Sequence, residues 1–245
     1  MSFSYDIIMP VHEGVSEDHF TRALNSLSSL KYRNFHIYIG IDGYLSDRKL
    51  WLIRNCLVGQ TYTLLNLPKT GKPGFVRNRL IELGHGDVIV INDSDDVSVK
   101  DRLDVYNYYF LKEGAYLLSG SMRVVDSDYK VKGYRGHKLQ KLSLPNRSLL
   151  ICPFNNPAVA FRRKGLGTLR FNETADKSED YSFWIDILHR KLPCMCIENI
   201  LVDYMQSDED LSKRIGLKYF FSDWKVKIKA IQKLGGIKNR SEEHT

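Results

Sequence analysis

The sequence of 245 residues predicts an α/β fold, in which helices flank a mainly parallel sheet and a helical extension follows at the C-terminus. Over residues 5–111, short apolar segments alternate with helical segments of about 10–15 residues, a pattern typical of βαβ units. Residues 213–245 contain nine Lys or Arg and three Asp or Glu, whereas residues 1–212 carry a net charge of only +1. We therefore expect one domain over residues 1–212 and a basic amphipathic helix and tail over residues 213–245.

The first two strands are predicted at Asp6–Val11 and Phe35–Ile41, because both are apolar runs that end in loop or turn residues. Between them, Ser16 is a candidate N-cap for a helix. The apolar residues of this helix recur every three or four positions, which predicts one buried face. They are Phe20, Ala23, Leu24, Leu27 and Leu30.

The next elements are a helix at Asp47–Leu57, a strand at Thr61–Asn66 and a helix at Phe75–Leu83. A basic, turn-rich loop at Lys69–Gly74 precedes the last of these helices. The apolar, β-branched run Val88–Asn92 then predicts a strand that is buried on both faces.

After residue 111 the alternation of strands and helices becomes irregular. We predict strands at 116–125, 158–162 and 195–204, a helix at 179–188, and a polar, turn-rich segment at 126–141. This half contains too few apolar residues to form a separate core, so it is expected to extend the same domain.

A final helix is predicted because six apolar residues after residue 216 share one helical face. They are Leu217, Phe220, Phe221, Trp224, Ile228 and Ile231, and Lys218, Lys225, Lys229 and Lys233 lie largely off this face. Two interpretations remain open. The helix docks on the core and leaves a solvated basic side, or it lies on an anionic membrane surface.

Composition excludes several classes of protein. No run approaches the roughly 18 apolar residues of a membrane span, and the N-terminus has no signal-peptide pattern. The four cysteines are expected to be free thiols, which fits a reducing compartment. A cytoplasmic protein is therefore expected, with a peripheral position on the inner membrane face if the helix binds lipid. Nucleic-acid binding is not expected, because the basic residues are confined to one tail without a binding motif.

Three carboxylates within four residues follow the buried strand, at Asp93, Asp95 and Asp96. Such a density of negative charge is costly unless a cation lies there. Carboxylates suit a hard divalent ion such as Mg²⁺ or Mn²⁺ that also holds a phosphate, and open α/β sheets bind ligands at the carboxyl ends of their strands. The run predicts a metal-dependent site for a phosphorylated or nucleotide-linked substrate. The alternative is an acidic cap on a helix that begins near Lys100.

Several short motifs occur in a consistent order along the chain. They are Pro10-Val11-His12, Asp42-Gly43, the helix start that contains Arg77-Asn78-Arg79, the acidic run after Asn92, and Glu179-Asp180 before an aromatic-rich helix. Together they resemble the family 2 glycosyltransferases of the GT-A fold over roughly residues 5–205. The resemblance implies a GT-A-like, Rossmann-like sheet. It also implies an inverting transfer of sugar from a nucleotide diphosphate sugar, with a UDP-sugar as the expected donor.

The resemblance also implies roles for individual residues. Asp180 is the candidate general base, and Glu179 lies beside it. Asp95 is the candidate ligand of Mn²⁺ or Mg²⁺, and Asp93 binds the metal or the donor ribose. Asp96 supports this site or contacts the donor. The other nucleotide-sugar contacts are expected at Pro10, Val11 and His12 around the base, at Asp42 on the base, and at Lys72, Arg77 and Ser94.

The Gln-x-x-Arg-Trp element of processive polysaccharide synthases is absent from the sequence, which favours the addition of a single sugar. The expected acceptor is a saccharide or a lipid-linked saccharide on the cytoplasmic leaflet, as the resemblance implies.

Other functions fit parts of the sequence. Asp93-x-Asp95-x-Val97 matches the signature of haloacid-dehalogenase-like phosphohydrolases, in which Asp93 would be the nucleophile, although about three strands precede it here. A nucleotidyltransferase of similar architecture and a non-catalytic sugar- or nucleotide-binding domain also remain open. Slow hydrolysis of a nucleotide sugar in the presence of metal would distinguish a transferase from a binding domain.

Overall fold

The computed structural model describes residues 2–136, 142–175, 177–206 and 217–235. In the N-terminal half, strands and helices alternate as expected, except that the short strand β5 follows β4 without a helix between them. The elements are β1 Tyr5–Val11, α1 Glu17–Ser28, β2 Phe35–Asp42, α2 Asp47–Cys56, β3 Tyr62–Leu67, α3 Pro73–Leu83, β4 Val88–Ile91, β5 Val97–Ser98 and α4 Arg102–Lys112. The remaining elements are β6 Leu117–Val125, β7 Val131–Arg135, α5 Leu144–Arg147, a 3₁₀ turn Asn156–Ala158, β8 Val159–Arg162, α6 Glu179–His189, β9 Cys194–Met205 and α7 Leu217–Leu234.

The strands form one sheet in the order β3-β2-β1-β4-β8-β6-β9-β5, and β7 pairs with β6 beside this path. The strands β3, β2, β1 and β4 are mutually parallel. Antiparallel β8 then joins β4 to β6. The predicted α/β fold with a mainly parallel N-terminal sheet is confirmed. Because β1, β2 and β4 run in the same direction, the loops that follow them meet at one edge of the sheet.

Apolar residues cover both faces of this sheet. Every residue of β4 is buried, which explains why its sequence is a continuous apolar run. On one face, α1 packs through Phe20, Leu24 and Leu27, as its spacing predicts. On the other face, α6 buries Trp184 against Phe161 and Phe171. The sheet is therefore a rigid base for the loops at its edge.

Four short elements were not predicted from the sequence, namely β5, β7, α5 and the 3₁₀ turn. Strand β7 lies within the segment expected to be polar and turn-rich, and all five of its residues are exposed or half-buried. Hydrogen bonding to β6 makes this segment a strand, which its own sequence does not predict. Ser16 occupies the N-cap position of α1, but its side chain makes no capping hydrogen bond, so that part of the prediction was wrong.

Two further interpretations of the sequence can be compared with the structure. Helix α4 begins at Arg102 after Asp101, so the acidic run at residues 93–96 does not cap it. The four cysteines are free thiols, as expected. The expected domain boundary between residues 212 and 213 lies outside the described residues.

Helix α7 packs against α6, but through a face that was not expected. Val226, Ala230 and Leu234 are buried, whereas Ile228 and Ile231 of the predicted apolar face are 41% and 59% exposed. The docked helix of the first interpretation is therefore observed, but its exposed side is apolar rather than basic. Among the helices that the structure describes, none is both long and apolar enough to cross a membrane.

Candidate active site

The turn after β4 carries the three carboxylates at the edge of the sheet. Asp96 is buried, and its Oδ1 accepts a hydrogen bond from the backbone N–H of Met205 at 2.9 Å. Burial raises the pKa of Asp96 well above its ordinary value, and the charges of Asp95 and Asp93 raise it further. Asp96 therefore anchors the turn to β9, while Asp93, with 29% of its side chain exposed, lies toward solvent.

A buried arginine at the start of α4 supports this turn through hydrogen bonds. Arg102 is 1% exposed and donates hydrogen bonds to Asn92 Oδ1 at 2.9 Å and Ser98 Oγ at 2.8 Å. It also donates to the backbone oxygens of Ile91 and Pro157 at 2.8 and 2.7 Å. A buried charge is tolerated when it is hydrogen-bonded in this way. Arg102 thus fixes both ends of the acidic turn and lowers its negative potential.

A second arginine, Arg77, links the acidic turn to the start of α6. Its guanidinium donates to Asp93 Oδ1 and to Glu179 Oε1, both at 2.9 Å. Burial alone would lower the pKa of Arg77, but the charges of Asp93 and Glu179 more than offset this effect, so the pKa is raised and the group stays charged. The structure therefore brings Arg77, Asp93 and Glu179 together.

Asp180 follows Glu179 at the start of α6. Its Oδ1 accepts a hydrogen bond from the backbone N–H of Tyr181 at 2.7 Å. Burial raises the pKa of Asp180 to about 6, and the charge of Glu179 adds to this effect, whereas Arg77 opposes it. A carboxylate with this pKa is ionised at neutral pH and is a stronger base than an ordinary aspartate.

Helix α3 also fixes the segment that precedes α6. The side chain of Asn78 is fully buried; it accepts from the N–H of Phe171 and donates to the oxygen of Phe171, both at 2.9 Å. Its amide also donates to Glu173 Oε1 at 2.9 Å. A Cβ on Gly74 would lie 2.9 Å from the oxygen of Asn172, so only glycine permits this close approach. These contacts hold the start of α6 against α3.

Asp42 lies at the end of β2 and holds the basic loop. Its Oδ1 accepts from the N–H of Thr70 at 2.6 Å, and its Oδ2 accepts from the N–H of Gly71 at 2.8 Å. This loop leads to Lys72, the N-cap residue of α3. Thr70 Oγ1 also donates to Asp42 Oδ1, at 3.1 Å. The observed contacts of Asp42 are thus with the basic loop itself, and its contact with a nucleotide base stays a prediction.

The remaining predicted nucleotide contacts lie on two adjoining strand ends. Pro10 and Val11 pair with Gly40 and Ile41 of β2, so they lie beside Asp42. Val11 is buried and His12 is exposed, where His12 Nδ1 accepts from the N–H of Gly14 at 3.0 Å. Ser94 is 7% exposed. No described contact joins these side chains to Arg77 or Asp180.

The acidic turn can be tested for its fit to a divalent ion. No group of three potential metal ligands occurs within the described residues. A Mg²⁺ or Mn²⁺ ion in a nucleotide site needs only one or two carboxylates, since phosphate and water supply the other ligands. Asp95 and Asp93 meet that need. The buried Oδ2 of Asp96 has no hydrogen-bond partner among the described residues, which adds an uncompensated oxygen to the turn. The residues present fit such an ion.

The sequence indicated most of these residues but not their supports. Arg102 and Thr70 carried no motif, and Asn78 belonged to a recognised helix start without an assigned role. The only signal for Arg102 was its place on the helix after the acidic run. Its burial depends on the packing of α4 beneath β4, which no local pattern shows.

Comparison with known proteins agrees with this geometry. The family described as Glycosyl transferase family 2 matches residues 6–170. An Escherichia coli protein named UDP-Gal:alpha-D-GlcNAc-diphosphoundecaprenol beta-1,3-galactosyltransferase is 28% identical over 141 residues, which cover 57% of this chain and 51% of that protein. The chain spans about half the length of the curated relatives it matches.

Solved structures show the same fold. S. aureus TarS in complex with UDP-GlcNAc has a TM-score of 0.75 at 17% identity, over 94% of this chain and 67% of that one. The mannosyltransferase PcManGT from Pyrobaculum calidifontis, in complex with GDP-Man and Mn²⁺, has a TM-score of 0.66 at 11% identity, over 98% of this chain and 77% of that one. The fold is thus the GT-A fold expected from the motifs.

Proposed function

Because the chain belongs to glycosyl transferase family 2, we propose that it transfers a single sugar from a nucleotide diphosphate sugar to a saccharide acceptor with inversion at the anomeric carbon. The observation that carries this proposal is the bridge through Arg77, since it joins the acidic turn to the helix start that contains Asp180. A donor site and a base held next to each other are what a direct displacement needs. Neither the phosphohydrolase nor the non-catalytic interpretation requires this pairing.

Asp180 is the proposed general base. The acceptor hydroxyl gives its proton to this carboxylate while the oxygen attacks the anomeric carbon, and the bond to the departing diphosphate breaks. The pKa of about 6 supports this role, because the carboxylate is ionised at pH 7 and still accepts a proton readily. Glu179 is bound to Arg77, so we assign it the positioning of Arg77 and of the helix start rather than proton transfer.

The donor is proposed to bind across the loops after β1, β2 and β4. Pro10, Val11, His12 and Asp42 would hold the base, and Lys72, Arg77 and Ser94 would contact the ribose or the phosphates. Asp95 and Asp93 would hold Mn²⁺ or Mg²⁺, which neutralises the departing diphosphate when it is bound. A UDP-sugar is the proposed donor. The names of two similar proteins support it, one through UDP-Gal and one through UDP-GlcNAc.

The proposed acceptor is a lipid-linked saccharide on the cytoplasmic side of a membrane. The E. coli relative named above has a diphosphoundecaprenol-linked sugar in its name, which supports this class of acceptor. The protein would then be a cytoplasmic enzyme that meets the membrane peripherally through its C-terminal helix. We also propose that residues 1–212 form the catalytic domain and residues 213–245 the membrane-directed extension.

A donor screen tests the proposal directly. Thermal shift is measured with UDP-, GDP- and dTDP-sugars, with and without Mn²⁺, and the best donor is then incubated with metal to detect slow sugar release. We expect a metal-dependent shift with a UDP-sugar and a product of inverted configuration by NMR. Failure of every nucleotide sugar to stabilise the folded chain would contradict the donor site.

Two variants separate donor binding from chemistry. Asp95→Ala should abolish the metal-dependent part of the donor shift, whereas Asp180→Asn should keep it and lose turnover. Asp101→Ala is a matched control, because Asp101 lies outside the turn at the start of α4. It should leave both properties unchanged. Normal turnover in Asp180→Asn would remove Asp180 as the base.

A further inference from the structure

Helix α7 has two apolar faces that point away from each other. Its inner face consists of Val226, Ala230 and Leu234, which are 7%, 0% and 2% exposed. Its outer face consists of Phe221, Trp224, Ile228 and Ile231, which are 57%, 55%, 41% and 59% exposed. At about 100° per residue, the centres of the two sets lie roughly 140° apart. The inner face accounts for docking, so the outer face needs another explanation.

Ion pairs fix the rotation of α7 on the domain. Lys229 Nζ donates to Ser182 Oγ at 2.7 Å and to Asp186 Oδ2 at 2.6 Å, and Lys233 Nζ forms an ion pair with Asp186 Oδ1. Rotating the helix to bury Ile228 and Ile231 against α6 would break these contacts and expose the inner face. The outer face is therefore held away from α6.

The outer face also has a defined place relative to the proposed active site. Ser222 Oγ donates to the oxygen of Lys177 at 2.7 Å, two residues before α6 begins. At the other end, His189 Nδ1 lies 3.0 Å from the oxygen of Lys233. Helix α7 thus runs alongside α6 in the same direction. The start of the outer face lies level with the helix start that carries Asp180.

We propose that the outer face of α7 is a membrane-contact surface for anionic lipid, which presents the proposed active site at the start of α6 to the bilayer. This inference rests on the proposed function for its biological purpose, because a lipid-linked acceptor must be reached at the membrane. An amphipathic helix with a tryptophan and flanking lysines binds in the plane of the interface. The inner face stays on the domain, so α7 orients the whole enzyme rather than acting as a free tether.

Charge identifies lipid rather than a second copy of the chain as the occupant. Residues 213–245 carry a surplus of six positive charges, and the exposed Lys225 lies next to Trp224. A twofold dimer through the outer face would bring two such basic segments together, which costs energy. An anionic bilayer attracts the same segment, at a gain that grows with each basic residue near the surface.

The test compares binding of the full chain to vesicles of phosphatidylglycerol and phosphatidylcholine with binding to phosphatidylcholine alone. The variant Ile228→Ser/Ile231→Ser removes apolar surface from the outer face. The matched control is Val58→Ser/Leu111→Ser, because these exposed aliphatic residues lie outside α7. We expect wild type and control to bind the anionic vesicles, and the α7 variant to bind at least about tenfold more weakly. Added salt should weaken the binding of wild type.

Stabilisation by UDP is measured in parallel for all three proteins, because it reports on the donor site without vesicles. Equal stabilisation shows that the α7 variant is folded and that the donor site is intact. Equal binding of vesicles by wild type and the α7 variant would overturn the proposal, as would no binding by wild type at low salt. Self-association that the α7 variant abolishes, without vesicle binding by wild type, would instead assign the outer face to a second copy. If UDP does not stabilise wild type, the proposed donor site is contradicted, whereas the proposed membrane contact is not.

Discussion

Replacing Asp180 by Asn should stabilise the protein at pH 8 while it abolishes most turnover. The pKa of Asp180 is raised from 3.8 to about 6, first by burial and then by the charge of Glu179. This difference corresponds to about 3 kcal/mol of unfavourable free energy for the ionised form. Asp180 is partly exposed, and solvent screens its charge, so we expect a gain of about 1–3 kcal/mol in the free energy of unfolding.

The direction of this stability change follows from how the protonation of Asp180 depends on pH. A carboxyl group whose pKa is higher in the folded protein stabilises it fully below the unfolded pKa of about 4, and this stability is lost as pH rises toward 6. The advantage of the Asn variant should therefore be largest at pH 8 and level above about pH 7. At pH 5 it should be smaller, by up to roughly 1.4 kcal/mol if the full shift applies. Urea unfolding of both proteins at these pH values measures it.

Turnover should fall by roughly 10²–10⁴-fold, which is the usual contribution of a positioned base. Asp186→Asn is the matched control on the same helix. It loses the ion pairs to Lys229 and Lys233 and should be less stable than wild type at pH 8. A stability advantage of Asp180→Asn that is equal at pH 5 and pH 8, or a loss of stability at pH 8, would refute the reasoning.

Three further changes test the supports of the site. Arg102→Met removes the buried donor to Ser98 and to the backbone oxygens of Ile91 and Pro157, and urea unfolding should show a loss of about 3–5 kcal/mol in the free energy of unfolding; a loss under about 1 kcal/mol would be inconsistent with the network. Asn78→Ala leaves both backbone groups of Phe171 unpaired. The free energy of unfolding should fall by about 1–3 kcal/mol, and kcat should fall by a larger factor than the KM for the donor rises. An unchanged kcat would show that this contact does not position α6. Arg77→Met should lower both the free energy of unfolding and the affinity for UDP in isothermal titration, because it leaves Asp93 and Glu179 unneutralised; normal UDP affinity would exclude Arg77 from the donor site.

The sequence by itself determined the order of elements in the N-terminal half, apart from the two-residue strand β5. Strand β4 is buried on both faces, so each of its positions had to be apolar, and the run was unmistakable. The same holds for α1, whose spacing of Phe20, Leu24 and Leu27 records a single buried face. Parallel connectivity then places the loops after β1, β2 and β4 at one edge of the sheet. The family motifs at these strand ends identified the candidate site before any contact was known.

Tertiary structure decided which charges meet. Glu179 lies 102 positions after Arg77, and nothing local shows that both bind the same cluster as Asp93. The burial that raises the pKa of Asp180 arises from packing between distant elements, so the residue type alone could not predict it.

Tertiary structure also decided the orientation of α7. Its sequence contains two apolar faces, and the larger side chains favoured the wrong one as the docked face. Asp186 on α6 selects the other face, because only that rotation brings both Lys229 and Lys233 to its carboxylate. Helical periodicity fixes which residues share a face, whereas the charges and shape of the neighbouring helix fix the direction in which each face points.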